Sequence, residues 1–247
     1  MPTPAPMPAA AKSRVRSARE RARADVMREI VETARRHLAQ AGAPALSLRA
    51  VARDLGMGSS AVYRYVASRD ELLTLLIIEA YDSLGAAVEA AEAAVDRADL
   101  LGRWTTLCRS VRAWALAQPH EYALIFGSPV PGYAAPQDTI GPATRVPALL
   151  IGLLVDGVRC GALDRSAAPR LRGPVAAALG PVRSVVPDDV DDDLLLRGLQ
   201  AWSDLFGAVS FELFGHLHKV VAEESELREA YFAEVAARLA AVSGITV

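Results

Sequence analysis

Side chains that can hydrogen-bond to phosphates and to the edges of bases are concentrated between Ser47 and Arg69. The hydroxyls of Ser59 and Ser60 can donate or accept hydrogen bonds, and the methyl group of Ala61 suits the methyl of thymine. Guanidinium groups bind phosphate or guanine, and phenol groups donate to phosphate. The candidate DNA contacts are therefore Ser47, Arg49, Ser59, Ser60, Ala61, Tyr63, Arg64, Tyr65 and Arg69.

Several of these assignments have alternatives. Tyr63 and Tyr65 are also suited to core packing, and Arg64 is as well placed to face solvent or a phosphate as to read a base. Arg49 lies near the start of a predicted helix, from which it could reach a guanine. Ser47 and Arg69 lie at helix N-termini, where backbone N–H groups and side chains together bind phosphate.

The residue types that catalysis and metal binding need are present but not suitably arranged. None of the four histidines has a neighbouring acid, base or nucleophile in a recognisable pattern, and His216 and His218 point to different faces of a predicted helix. The acidic run at residues 188–193 lacks the spacing of a calcium loop. Gly56 and Gly58 follow a helix, whereas a dinucleotide-binding loop follows a strand. We expect no enzyme activity, no cofactor and no metal.

Two short helices separated by a tight turn position the candidate contacts. Ser47 is a suitable N-cap for a helix that buries Val51, Ala52 and Leu55. Gly56 follows at once, where the turn needs a residue that tolerates positive φ. The second helix, capped by Gly58 or Ser59, turns Val62 and Tyr65 or Val66 inward. The offsets of Ala52, Gly56 and Val62 fit a helix-turn-helix.

The formal net charge of −2 is the sum of two opposite parts. Residues 1–70 contain 13 Lys and Arg and 6 Asp and Glu, a balance of +7, whereas residues 71–247 contain the other 14 and 23, a balance of −9. Genome composition would explain why 25 of the 27 basic residues are arginine, but not the separation in sign. A basic end on an acidic body indicates nucleic-acid binding at that end.

The fold is predicted to be all-α, because no run of alternating β-branched residues indicates a β-sheet. Apolar runs fall far short of the ~20 residues that span a bilayer, so we expect a cytoplasmic protein with no membrane partner. The sequence predicts a disordered basic arm over residues 1–24, which is either a solvated tail or a contact to phosphates or the minor groove. A three-helix DNA-binding domain over 25–70 and a larger helical domain over 71–247 follow, with long loops at 127–147 and 169–187.

The stretch from Ser47 to Leu72 resembles the DNA-binding domain of TetR-family transcriptional regulators, with a Ser-capped helix, a Val-Ala pair, a glycine turn and the run Val62-Tyr-Arg-Tyr-Val66. Two departures are Val66 where the family usually has Phe and Arg69 where it usually has Lys. The resemblance implies that Tyr63 contacts a backbone phosphate. It also implies that the fourth helix, from Arg69 to about residue 94, links the DNA-binding domain to a ligand-binding domain.

The stretch from Ala201 to Leu213 resembles the C-terminal WHG type of regulator domain, with Trp202 and Gly207 in place and Phe206 instead of His. Apolar stripes mark the two last long helices, predicted over 189–216 and 223–242. In the resembling family such helices form a homodimer interface, although both stripes could also face the domain's own core. The stripes comprise Leu195, Leu199, Trp202, Phe206, Val209 and Leu213, and Leu227, Tyr231, Val235, Leu239 and Val242.

Large aromatic residues of the acidic body are candidates for a ligand pocket, although each also suits a core. They are Trp104, Trp114, Tyr122, Phe126, Trp202 and Phe206. Such a lining favours a small hydrophobic effector. The sequence thus indicates a ligand-responsive repressor that binds double-stranded palindromic operator DNA as a homodimer. The alternative is a helix-turn-helix activator or a DNA-binding protein without an effector.

Overall fold

A computed structural model describes residues 9–164, 171 and 173–245, with side chains from residue 18 onward. These residues form α-helices and short 3₁₀ turns, and their only β-type pairing is an isolated bridge between Leu163 and Ile245. The fold is all-α, as predicted. The helices are α1 (Ala9–Ala41), α2 (Leu48–Asp54), α3 (Ser59–Val62), α4 (Arg69–Glu92), α5 (Leu100–Ala117), α6 (Pro119–Phe126), α7 (Ile140–Ala143), α8 (Arg145–Arg159), α9 (Pro174–Ala178), α10 (Gly180–Arg183), α11 (Asp192–Leu213) and α12 (Ser225–Val242).

The chain divides into two compact units. The N-terminal unit extends to Ile77 and also contains residues 127–136, and the C-terminal unit comprises residues 78–126 and 137–247. The boundary therefore lies within α4, later than the predicted boundary after residue 70. The segment 127–136 belongs to the N-terminal unit, where Tyr133 OH and Thr74 Oγ1 share a hydrogen bond of 2.9 Å. Nothing in the local sequence indicates that pairing.

Helix α1 differs from the prediction at its start. It begins at Ala9, so the expectation of disorder up to residue 24 is wrong for residues 9–24, and residues 1–8 lie outside the described part. The physical reason is that Ala, Arg, Lys and Glu favour helix and that no proline follows Pro8 within this stretch. The predicted inward stripe is present, because Ile30, Ala34 and Leu38 are buried and Val26 is half-buried.

The core of the C-terminal unit lies where α5 packs against α8, α11 and α12. Trp104 of α5 is buried there and donates its indole N–H to the carbonyl of Ala236 at 2.8 Å. A largely buried charge cluster connects α5 to α4 and α8, because Arg103 of α5 forms ion pairs with Glu92 at 2.5 Å and with Asp156 at 2.9 Å.

The predicted loops are shorter than expected. Helices α7 and α8 occupy most of the second half of the predicted loop at 127–147, and α9 and α10 lie within the one at 169–187. Pro142 and Pro147 sit in the first turns of α7 and α8, where a missing N–H removes no helical hydrogen bond. Among the described residues, no single helix is long and apolar enough to cross a membrane; only a bent pair, Gln137–Ala143 with Arg145–Arg159, reaches the required length and composition together.

Candidate nucleic-acid interface and internal cavity

Helices α2 and α3 form the predicted helix-turn-helix. Ser47 is the N-cap residue of α2, although its side chain makes no capping hydrogen bond. Gly56 in the turn has φ +64°, a left-handed conformation that favours glycine over any residue with a Cβ. Gly58 is the N-cap of α3, and fully buried Val62 and Val66 fix the α3 segment on the unit's core. The smaller side chain at Val66 therefore still serves as an anchor.

Most of the candidate DNA contacts face outward. Ser59, Ser60, Arg49 and Arg64 are exposed, and Tyr63 has 45% of its surface exposed. Tyr63 is therefore not packed in the core. Among the remaining candidates, Ser47, Ala61, Tyr65 and Arg69 are half-buried.

A shallow depression of about 420 Å³ brings four of the candidates together. It is lined by Ser47, Arg49, Tyr63 and Arg69 along with the neighbouring residues Leu46, Leu48, Ala67 and Ser68. Hydroxyl, phenol and guanidinium donors thus surround one concave surface beside α3. This arrangement is chemically suited to a phosphate of a DNA backbone.

Arg69 contributes differently from the sequence expectation. Its Nε donates to the carbonyl of Leu46 at 3.2 Å, and its Nη2 donates to those of Ala43 at 2.9 Å and Pro44 at 3.3 Å. These bonds tie the start of α4 to the segment before α2. The carbonyl contacts are what the structure shows for this side chain, and its role as a phosphate clamp stays a prediction.

Arg23 is a neighbour of the recognition segment that the sequence did not single out for this place. Its guanidinium lies over the ring of Tyr65, 5.1 Å from the centroid, and Nη1 donates to the carbonyl of Arg64 at 3.3 Å. Helix α1 therefore extends the basic surface up to α3. The signal in the sequence is the basic run before residue 25, for which the expectation of disorder is wrong. Lys12, Arg14 and Arg16 of that run lie outside the residues whose side chains are described.

A hydrogen bond between two side chains holds α1 to α2. Nε2 of His37 lies 2.6 Å from Oδ2 of Asp54, and this hydrogen bond holds the pKa of Asp54 below its usual value. The pair explains a histidine for which the sequence offered no partner. It is a contact within the DNA-binding unit rather than a catalytic or metal-binding arrangement.

A cavity of about 300 Å³ lies inside the C-terminal unit. Its walls come from α4, α6, α7, α8 and α11. Aromatic rings dominate one side, with the centroids of Phe126 and Phe206 4.4 Å apart and those of Tyr81 and Phe126 5.9 Å apart. The lining residues are Tyr81, Leu84, Phe126, Pro142, Ala143, Thr144, Val146, Pro147, Trp202 and Phe206.

The structure separates the six predicted pocket residues into two groups. Phe126, Trp202 and Phe206 line the cavity. Trp104, Trp114 and Tyr122 do not line it, and each is buried with its polar atom hydrogen-bonded inside the protein. The indole of Trp104 donates to the carbonyl of Ala236, and that of Trp114 donates to Ser83 Oγ at 3.0 Å. The Tyr122 hydroxyl bonds to the carbonyl of Phe206 and to Ser210 Oγ. Tyr81, Leu84 and the walls from α7 and α8 were missed, since only the tertiary fold brings them to this site.

The two predicted apolar stripes face mainly inward. On α11, Leu195, Phe206 and Val209 are buried, and Leu199, Trp202 and Leu213 are half-buried. On α12, Leu239 is buried and Val235 and Val242 are half-buried, but Leu227 and Tyr231 are 53% and 41% exposed. Phe211 and Phe214 near the end of α11 are 56% and 44% exposed. We call Phe211, Phe214, Leu227 and Tyr231 the outer apolar face.

The described residues contain no group of three or more His, Cys, Asp or Glu side chains that could hold a metal ion. Of the two cysteines, Cys108 is buried and Cys160 is exposed, and burial raises the pKa of the Cys108 thiol far above its usual value. A thiol in that state is a poor nucleophile.

Comparison with known proteins gives consistent matches to regulators. Residues 30–76 match the family described as "Bacterial regulatory proteins, tetR family", and residues 104–239 match "Tetracyclin repressor-like, C-terminal domain". The HTH-type transcriptional regulator Rv1816 of Mycobacterium tuberculosis is 42% identical over 205 residues, which is 80% of this chain and 84% of that protein. Its counterpart Mb1846 from Mycobacterium bovis matches to the same extent.

Among solved structures, a regulatory protein, SCO4313, superposes with a TM-score of 0.69 at 36% identity, covering 87% of this chain and 97% of its own. The TetR-family regulator PfmR from Thermus thermophilus superposes with a TM-score of 0.54 at 18% identity, covering 83% of this chain and 96% of its own. The second match supports the fold alone.

Proposed function

The chain belongs to the TetR family of bacterial transcriptional regulators, which are DNA-binding proteins and not enzymes, and from this premise we propose that it is a ligand-responsive repressor. In this proposal, two copies bind a palindromic operator, and a small hydrophobic effector in the cavity releases them. The observation that carries the DNA part is the exposed donor set on α3 and the turn that follows it. Ser59, Ser60, Tyr63 and Arg64 are exposed, while the buried side chains of Val62 and Val66 anchor this segment.

The donors divide into two roles in this proposal. Ser59, Ser60 and Ala61 at the start of α3 approach base edges, because the N-terminal residues of a recognition helix enter the major groove. Tyr63, Ser47 and Arg49 surround the shallow depression, which is the shape and chemistry for a backbone phosphate. Arg64 and Arg69 add positive charge beside it.

The homodimer part rests on geometry and on surface chemistry. One α3 reads only a few base pairs, so a specific site requires two copies related by a two-fold axis. The outer apolar face on α11 and α12 is the type of surface that a second copy would bury. Its residues differ from most of the predicted stripe residues, which pack inside the unit instead.

The effector part rests on the cavity. A volume of about 300 Å³ is at the lower end of small-molecule sites, and its wall is aromatic and aliphatic. Helix α4 contributes Tyr81 and Leu84 to that wall, and the same continuous helix begins at Arg69 in the DNA-binding unit. Occupancy that shifts α4 is therefore a direct way to alter operator affinity. An activator, or a DNA-binding protein without an effector, is the alternative.

The test is a mobility-shift titration of the full-length protein on the DNA upstream of its own start codon. We expect Tyr63→Ala and Arg49→Ala to weaken binding at least tenfold. Only Arg49→Ala removes a positive charge, so it alone should reduce the slope of log K against log salt, by about one, whereas Tyr63→Ala should keep the wild-type slope. Arg159→Ala, an exposed arginine of the C-terminal unit, is the matched control and should leave both quantities unchanged. Wild-type affinity in Tyr63→Ala and Arg49→Ala would contradict the site, and the absence of a shift both on that DNA and on any DNA found by footprinting elsewhere would contradict the proposed regulator.

A further inference from the structure

A second chamber adjoins the aromatic cavity. It has a volume of about 160 Å³ and shares Pro147 and Trp202 with the larger chamber of about 300 Å³. Both chambers lie within the C-terminal unit. The two shared residues form the wall at which the two chambers meet, so the chambers are direct neighbours.

The smaller chamber follows two helices. Its α8 wall runs from Pro147 to Leu154, and its α11 wall runs from Trp202 back to Leu195. Seven residues of α-helix rise about 10 Å, so both walls extend over about 10 Å. The remaining wall is Val182 of α10. The lining thus follows one side of α8 and one side of α11, and we call this chamber the trough.

The two chambers differ in chemistry. The trough is lined by aliphatic residues apart from Trp202, and Gly198 in its wall carries no side chain: a Cβ there would come within 2.6 Å of Leu154 Cδ1. The larger chamber has three aromatic residues besides Trp202 and two hydroxyl-bearing residues, Tyr81 and Thr144. The Tyr81 hydroxyl donates to the carbonyl of Ile125 at 3.3 Å, which leaves its oxygen available as an acceptor.

Charge is missing from both linings. Among the described residues, no Asp, Glu, Lys, Arg or His lines either chamber. Arg145 is next in sequence to Thr144 and Val146 of the larger chamber, but its guanidinium is taken up by Glu89 and Asp82. An anionic ligand would therefore find no countercharge among the described lining residues, and its burial there would carry a high cost in desolvation.

We infer that the effector is an uncharged molecule with an alkyl chain and one polar end. The chain lies in the trough between α8 and α11, and the polar end lies among the hydroxyls and rings of the larger chamber, with Trp202 against the joint between them. This inference rests on the proposed effector role of the cavity and specifies the class of ligand.

The probes that test it are the 1-alkanols from butanol to dodecanol, bound to the full-length protein and followed by tryptophan fluorescence and calorimetry. Each added methylene buried in the trough should tighten binding about fourfold. The gain should stop abruptly when the trough is full. The alkanoates of equal length should bind at least tenfold more weakly at neutral pH.

Ile151→Trp fills the trough from its half-exposed α8 wall. We expect it to leave the affinity for butanol within twofold of wild type and to move the chain-length limit to shorter alcohols. Ala148→Trp, on the same helix but exposed and outside both linings, is the matched control and should keep the wild-type limit. If Ile151→Trp does not fold, as judged by circular dichroism, Leu199→Phe narrows the same trough from α11.

The trough assignment would be overturned if the affinity of the alcohols did not depend on their chain length. It would also be overturned if Ile151→Trp and Ala148→Trp changed the affinity equally. Tighter binding of the alkanoates would overturn the uncharged class. Binding by no member of the series would overturn the inference as a whole. The proposed regulator is judged separately: it fails if the mobility shift fails, whatever these probes do, and it survives their failure if another compound releases the protein from DNA.

Discussion

The guanidinium of Arg145 lies across the backbone of Gly85, so closely that a Cβ added to Gly85 would come within 2.6 Å of Arg145 Nε. Glu89 accepts Nε and Nη2 at 2.8 and 2.6 Å, and Asp82 accepts Nη1 at 2.8 Å. Gly85 thus leaves a gap on the surface of α4 that the Arg145 side chain fills, with the carboxylates of Asp82 and Glu89 about one helical turn away on either side. We call this gap the notch. The hydrogen bonds from Arg145 hold the pKa of Glu89 below its usual value. The first residue of α8 is in this way attached to α4 beside the cavity.

Gly85→Ala should therefore show an effect that depends on Arg145. In a helix interior, Gly to Ala by itself adds about 0.8–1 kcal/mol to stability. With Arg145 present, we expect displacement of its side chain to cancel that gain, so that the free energy of unfolding stays level or falls. The Arg145→Ala background removes Nε and Cδ and leaves only the Cβ of residue 145, at 3.0 Å from the added Cβ, so there the same substitution should be more favourable than in the Arg145 protein by about 1 kcal/mol. Urea unfolding of the four proteins measures the cycle.

The matched control for this cycle is Gly152→Ala in α8, where an added Cβ would meet no atom within 4 Å. It should stabilise by about 1 kcal/mol whether or not Arg145 is present. An equal effect of Gly85→Ala in both backgrounds would contradict the notch.

Asp156 should give the C-terminal unit a defined acid dependence. Burial raises its pKa, but hydrogen bonds from Arg103 at 2.9 Å and Arg97 at 2.8 Å outweigh this and hold the pKa below its usual value. A carboxylate with a lowered folded pKa contributes stability above its unfolded pKa and loses it as the pH falls through the folded value. Asp156→Asn should thus cost about 2 kcal/mol at pH 7, and the difference from wild type should shrink below about pH 4.

Denaturant unfolding at pH 7, 5 and 3 checks the dependence on Asp156. Asp189→Asn is its control, because Asp189 pairs with an exposed arginine at 3.1 Å and such surface pairs contribute little. A loss in Asp156→Asn that stayed constant down to pH 3 would show that the carboxylate's charge is not its cause.

The helix-turn-helix could be predicted from sequence because its determinants are local. Gly56 is followed by a short helix, and Val62 and Val66 are one turn apart, so the residues that anchor α3 also dictate which of its residues face outward. The family resemblance covers the same stretch. Distant contacts left no such trace. Nothing near Arg69 indicates the carbonyls of Ala43 and Leu46 as its partners, and the notch at Gly85 depends on an arginine 60 positions away.

The aromatic residues show the same limit. The sequence predicted Trp104 and Trp202 alike to lie in a pocket wall or in a core; Trp104 is buried and Trp202 is half-buried. The two residues differ in their surroundings. The indole N–H of Trp104 donates to the carbonyl of Ala236, whereas Trp202 lines a cavity. Sequence patterns specify that a ring is buried but not what it is buried against.

That difference predicts unequal costs for two identical substitutions. Trp104→Phe removes a buried hydrogen bond and leaves the carbonyl of Ala236 unpaired, which costs about 1–3 kcal/mol in addition to lost packing. The Nε1 atom of Trp202 is buried without a hydrogen-bond partner in the described part of the chain, so Trp202→Phe loses packing but no bond. We expect Trp104→Phe to be the less stable variant by at least about 1 kcal/mol in thermal or urea unfolding. The reverse order would contradict the two assignments.

The outer apolar face predicts a variant that assembles poorly but folds normally. Leu227→Glu combined with Tyr231→Glu places two charges on exposed positions, where they cost the monomer little. In a dimer interface they would be buried without partners, so sedimentation should show monomers at concentrations where wild type is dimeric. Operator affinity should then fall at least tenfold. Val185→Glu, at a 72% exposed position off this face, should leave assembly unchanged, and dimeric behaviour of the double variant would exclude this face as the interface.

Arg69 allows a structural role to be separated from a phosphate contact. Three carbonyls accept hydrogen bonds from its Nε and Nη2, a geometry that the single ammonium of lysine cannot reproduce. If these bonds are its main role, Arg69→Lys should lower the free energy of unfolding of the protein by about 1–2 kcal/mol while the salt slope of operator binding stays at the wild-type value, because the charge is kept. Arg69→Gln should then destabilise to a similar extent. Arg53→Lys, at an exposed neighbouring arginine with its side chain 78% accessible, should change neither quantity. A phosphate clamp gives the opposite pattern: Arg69→Lys would keep both stability and affinity, whereas Arg69→Gln would reduce the salt slope by about one.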